Sequence, residues 1–202
     1  MVRSILLMAT AAALAACSQA EAPRSAAETP AAAAASTPTA AMASYTAVAT
    51  ERFAGGPPVS PEDVSSMVEA QGAQGTVAAL GAGGDKTRWT SVMAGIATGQ
   101  PAWLALATPL EPGVENESYA DLNDALKAAM VVNPSGVLAI VNEANPNLST
   151  ESICTPAGFE MDAAWYAAYY DALTPAVESV TTPSLAGVRS ACLEILRARS
   201  PT

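Results

Sequence analysis

Between Val64 and Leu196 the apolar residues recur at intervals of three and four, the repeat of one face of an α-helix. Ser60-Pro61-Glu62-Asp63 reads as a helix start, with Ser60 as the cap, Pro61 in the first turn and an acid at capping-box spacing. Val64, Met67 and Val68 share one side of this helix, which continues or restarts beyond Gly72 and Gly75 and stops at Gly81. Trp89, Val92, Met93 and Ile96 form the face of the next helix, where Gly95 would let a neighbour come close. Gly99 and Pro101 separate it from a short buried helix in 101–107, and 109–116 reads as a loop. Ser118 and Asp121 have capping-box spacing at the start of another helix. Its inner face is Leu122, Ala125, Leu126, Ala129 and Met130, which puts Asp121, Asp124 and Lys127 mostly outside.

Asn133-Pro134 caps a short helix carrying Val137, Leu138 and Val141. The run 136–141 also fits a strand, but every neighbour has the helical period, so helix is the better reading. Residues 142–158 are the longest polar interruption, and 161–180 is the strongest long helix. Met161, Trp165, Ala168, Tyr169, Ala172 and Leu173 mark its apolar side, and Pro175 should kink or divide it near Thr174. Tyr166 and Tyr170 lie off that stripe. They form the candidate binding ridge, or they pack on the 142–158 loop. A last helix starts at Thr182-Pro183, buries Leu185, Val188, Cys192, Ile195 and Leu196, and carries Arg197 and Arg199 where the helix dipole favours cations. The expectation is one all-α domain over 45–202, a compact bundle or stacked helical hairpins of about seven or eight short helices.

The N-terminal stretch has a different pattern. Residues 18–44 are almost entirely Ala, Ser, Thr, Pro and Gln, with Pro23, Pro30 and Pro38 interrupting any helix. Such a segment lacks the large apolar groups that offset ordering entropy, so it reads as a disordered tether. Before it, Met1-Val2-Arg3 supplies positive charge and the chain then runs apolar from Ile5 to Ala16. This is the form of an export signal, and it is too short to span a membrane. It closes on Leu14-Ala15-Ala16-Cys17, which resembles the lipobox of bacterial lipoproteins.

That resemblance implies that 1–16 is a signal peptide cut before Cys17, that Cys17 carries a diacylglyceryl group and an acylated amine, and that 17–44 is a lipidated linker. Lipid chains then hold the protein to the membrane without a spanning helix. Ser18 follows the cysteine where many proteins retained in the inner membrane have Asp. The resemblance therefore points to the outer membrane, facing the periplasm.

Charge and chemistry narrow the function. Nine Lys and Arg against nineteen Asp and Glu give a net charge of -10, which opposes nonspecific binding to nucleic acid or anionic lipid. The excess suits a basic partner or simply keeps an apolar chain soluble. No histidine occurs, so Ser-His-Asp triads, Cys-His nucleophiles and His-based zinc sites are excluded. Lys86 and Lys127 are the two lysines, and neither has Ser three residues earlier, as a penicillin-binding serine-lysine pair would require. The run 81–87 faintly follows a phosphate-binding loop, but Asp85 stands where glycine is needed before Lys86.

With Cys17 taken by lipid, Cys154 and Cys192 remain as a pair for a structural disulfide; the spacing is not that of a redox motif. Asn116-Glu117-Ser118 and Asn147-Leu148-Ser149 match the glycosylation pattern but follow a bacterial type of export signal and are discounted. Carboxylate chemistry survives this filter, with Glu160 beside Trp165 and Tyr166 as its best place and Glu178 a weaker one. The leading expectation is a non-enzymatic envelope lipoprotein that binds another periplasmic or membrane protein and needs no cofactor. The alternatives are a carrier of small hydrophobic molecules, its cavity lined by Trp89, Trp103 and Met130, and a carboxylate-dependent glycan-cleaving enzyme.

Overall fold

The computed structural model describes residues 51–155 and 163–199. They form an all-α fold, with no strand among the described residues. The helices are α1 (Pro61–Leu80), α2 (Arg88–Ala97), α3 (Pro101–Leu104), α4 (Ala107–Leu110), α5 (Asn116–Val132), α6 (Pro134–Ala139), α7 (Thr150–Cys154), α8 (Ala163–Glu178) and α9 (Ala186–Arg199). Short 3-10 turns lie at Glu111–Gly113, Pro146–Leu148 and Pro183–Leu185.

The centre of the fold is α5. Helices α2, α6, α7 and α8 all pack against it, so every residue from Leu122 to Val131 is buried. A helix enclosed in this way has no solvated face, whatever its sequence pattern. Asp124 and Lys127, expected outside, are only 8% and 4% exposed.

α1 starts as its residues dictate. Ser60 Oγ accepts from the Asp63 N–H at 3.1 Å, and the Asp63 carboxylate accepts from the Ser60 N–H at 3.3 Å. The helix kinks at Gly72, whose φ of 73° is left-handed, and ends at Gly81 with φ 78°. Beyond the kink it packs on α4 and the Glu111–Gly113 turn. There the Gly113 backbone lies so close that an added Cβ would fall 2.5 Å from the Ala73 carbonyl carbon. Backbone cannot swing aside as a side chain can. Gly113→Ala should therefore destabilise the fold by about 2 to 3 kcal/mol, at the upper end of overpacking costs. Urea denaturation would check this, and an unchanged midpoint would mean that the two halves of α1 move independently.

The chain between α2 and α5 is more helical than its prolines suggest. The short helix expected in 101–107 is split into α3 and α4, and 109–116, expected as a loop, contains the end of α4 and a 3-10 turn. Pro109 is accommodated because it sits in the first turn of α4, where its missing N–H removes no helical bond. Gly95 of α2 does allow a close approach: a Cβ there would meet the Trp103 ring at 2.3 Å. α5 then begins at Asn116. Ser118 lies inside its first turn and accepts from the Glu115 N–H at 2.8 Å, so it is not the cap.

Asn133 caps α6 by accepting from the Gly136 N–H at 2.9 Å, and its amide donates to the Gly99 carbonyl at 2.8 Å. Residues 134–139 are helix, as preferred over strand. The polar stretch after them is less irregular than expected. Asn145 caps a 3-10 turn, Ser149 caps α7 by accepting from the Ser152 N–H at 3.2 Å, and Cys154 closes that helix. Buried Glu111 anchors this stretch by accepting from the side-chain amides of Asn145 and Asn147.

α8 runs through Pro175 undivided to Glu178. The proline ring removes one donor near the helix end, and the Ser179 N–H bonds the Pro175 carbonyl at 3.0 Å beyond it. α9 packs on α7 and α8. The Cys154 and Cys192 sulfurs lie at disulfide distance, 2.09 Å, and tie α7 to α9 across 38 residues of sequence.

Candidate functional site

The segment entering from residue 51 crosses the fold beside α5 and the turn that joins α1 to α2. Gly56 permits this path, since a Cβ there would fall 2.4 Å from the Thr87 carbonyl. Ser91 Oγ donates to the Pro57 carbonyl at 2.7 Å. Phe53 is pressed into the core with 4% of its surface exposed. Next to it, Arg52 Nη2 stands 2.8 Å from Asp124 Oδ2 and 3.5 Å from Asp121 Oδ1. The guanidinium also lies 5.7 Å from the centre of the Phe53 ring. From the opposite side the Trp89 indole N–H donates to Asp121 Oδ2 at 3.1 Å, which fixes that carboxylate. Asp124 Oδ2 is paired by charge with Arg52 but receives no aligned hydrogen bond.

Burial dominates the electrostatics here. It pushes the Asp124 carboxyl up to about 7, against the opposing charges of Arg52 and Lys127 and with a small addition from Asp121. Burial likewise pulls the Lys127 ammonium down to about 8, partly offset by Asp124. The two groups lie one turn apart on the enclosed helix, and each is disfavoured as an ion more than its neighbour can repay. The exposed pairs Arg197–Glu178, at 3.3 Å, and Arg199–Glu151 are ordinary surface contacts by comparison.

An open cleft of about 500 Å³ borders this group. Residues 51–54 form one wall, the turn 83–86 another, and Thr90, Glu117, Ala120 and Asp121 complete it. Glu51, Asp85, Glu117 and Asp121 outnumber Arg52 and Lys86, so the cleft favours a cationic guest. Asp121 lines it, whereas Asp124, the carboxyl that titrates near neutrality, is not part of its lining. The arrangement is suited to holding a positive group beside fixed carboxylates.

The residues singled out from sequence are placed differently. Tyr166 is half-buried and packs on the core, while Tyr170 is 6% exposed. They do not form a surface ridge, because α8 is covered by α5 and α6 and again by α9. Burial raises the Tyr170 hydroxyl, and Arg199 of α9 is near enough to oppose that shift. Trp89 and Met130 are core residues and Trp103 half-covers Gly95; none lines the cleft. Glu178 is exposed and paired with Arg197. Cys17, Glu160, Met161 and the Trp165 and Ala168 side chains lie outside the described residues.

Nothing in the sequence marks Arg52 and Asp121 as site residues, and the helical repeat puts Asp124 on the solvated side. The signal available was two acids one turn apart with tryptophan and arginine elsewhere, and nothing in the pattern joins them. Among the described residues no helix is long and apolar enough to cross a membrane, and no three of Cys, Asp and Glu gather to hold a metal ion. Comparison with models of known protein families, with characterised proteins and with solved structures found no match.

Proposed function

We propose that this chain is a lipid-anchored protein of a bacterial cell envelope whose helical domain binds another envelope protein without catalysis. The lipobox-like Leu14-Ala15-Ala16-Cys17 supports the anchor, and Ser18 supports placement at the outer membrane, facing the periplasm. The observation that carries the binding reading is the carboxylate-rich cleft, assembled from three separate stretches of chain around Asp121. Its guest is a basic surface of the partner; the reading calls for neither cofactor nor nucleic acid. A binding module is favoured over a carboxylate enzyme because the perturbed carboxyl, Asp124, is held by Arg52 outside the lining of the cleft.

The test is affinity purification from native envelopes with mild crosslinking. The baits are the full chain, a Cys17→Ala control and an Asp85→Lys, Glu117→Lys double variant. One stoichiometric partner is expected with the first bait, reduced about tenfold by the charge reversal while the circular dichroism spectrum is unchanged. Equal recovery with the double variant would remove the cleft from the interaction. Absence of any enriched partner from both unreversed baits would overturn the binding reading.

A further inference from the structure

We propose that Asp121 and Asp124 form a binding site for a guanidinium group, filled in this chain by Arg52 and open to takeover by an arginine of the partner. This deepens the reading of the cleft as a protein-binding site. The site is built from fixed parts. The Trp89 indole N–H holds Asp121 at 3.1 Å and leaves its other oxygen towards Arg52, while the Phe53 ring supplies an aromatic neighbour to the guanidinium. Asp124 is nine-tenths buried on its side chain, and its Oδ2 has no aligned hydrogen bond, so the cation at 2.8 Å is what compensates that oxygen.

A planar fork suits two carboxylates and an aromatic edge better than the point charge of a lysine does. The present occupant is replaceable because 39% of the Arg52 side chain is exposed and it stands on the wall of the cleft. A partner arginine entering that cleft meets Asp121, which lines it, and reaches Asp124, which does not, once Arg52 has moved aside. The net charge of -10 and the excess of carboxylates around the cleft draw such a segment in. Arg52 thus acts as an internal competitor that a basic segment displaces on binding.

The probes are acetyl-Arg-Phe-amide, which reproduces Arg52-Phe53, and its lysine counterpart acetyl-Lys-Phe-amide. Each is titrated into the purified full chain while the Trp89 indole N–H resonance, which reports on Asp121, is followed by NMR. Arg52→Ala is expected to bind the arginine peptide about tenfold more tightly than the unaltered chain does, and to prefer it to the lysine peptide. Adding Asp121→Asn to Arg52→Ala should abolish the shift. If Arg52→Ala does not fold, Arg52→Lys takes its place with the same ordering expected.

Equal binding to the vacated and unaltered chains, equal response to both peptides, or no shift with either peptide would overturn the proposal. The measurement needs no natural partner. A negative result here therefore leaves the capture of a partner standing, and a failed capture leaves this result standing.

Discussion

Replacing Cys154 and Cys192 together by alanine is expected to lower the stability of the fold by about 4 kcal/mol, the loop-closure value for a bridge over 38 residues. Both side chains are fully buried, and the bridge joins α7 to α9 on either side of the long α8. α7 has only five residues, too few to persist without being held against its neighbours. The loss should appear as a fall of about 10 °C in the thermal midpoint, measured by calorimetry. Reduction of the unaltered chain should reproduce it, since the same constraint on the unfolded state is removed. An unchanged midpoint would mean that packing alone holds α7, with Ile153 in the core and the Tyr119 hydroxyl 2.8 Å from Ser152.

Asp124→Asn should have the opposite sign, with an effect that grows from pH 3.8 and is complete near 7. The folded-state value of Asp124 is raised to about 7 from 3.8, so between these limits the folded chain holds a proton that the unfolded chain releases. Stability is therefore highest below 3.8, falls as the pH rises towards 7, and is lowest once both states are ionised. Lys127 extends that low region. Its folded value of about 8, against 10.5, means that stability recovers only as the pH rises through the interval between them.

The pair thus gives a minimum between about 7 and 8, where most domains are near their best. The Asn variant has no charge to bury. Discounting for incomplete burial and for the lost pairing with Arg52, it should gain about 2 kcal/mol at pH 8 and almost nothing at about pH 3.5, below the unfolded-state value. Urea denaturation at the two pH values decides the matter. A lower midpoint for the variant at pH 8 would show that the Arg52 pairing outweighs the burial.

What the sequence conveyed was local. Ser60 and Asn133 announce helix starts because a cap needs only its own first turn, and the apolar spacing of Trp89 to Ile96 identifies α2 because one face suffices. The bridge is legible from the two cysteines that remain once Cys17 is set aside with the lipobox-like segment. The site was not legible, because it depends on which helix becomes the centre. Asp124 and Lys127 look solvated by the helical repeat, and only the crowd of α2, α6, α7 and α8 around α5 encloses them.

Tyr170 failed as a surface residue for a similar reason. It lies off the apolar stripe of α8 yet is buried, because α9 packs on α8 and brings Arg199 near its hydroxyl. Arg52 stands ahead of α1 in the chain, and no periodicity connects it to α5. Short helices such as α7 stay hidden because one turn, capped by Ser149 in a polar run, has no apolar repeat to display.

The path of residues 51–57 also decides how a mechanical load applied at residue 51 is met. A pull on residue 51 reaches Arg52 and Phe53 before it reaches α1, so it is resisted first by the central helix and the core. Such a load must pull a buried ring out of the core and a charge pair away from α5 together, a harder route than unzipping a helix turn by turn. Under a pull at residue 51 the helical core would therefore stay intact until those contacts give way.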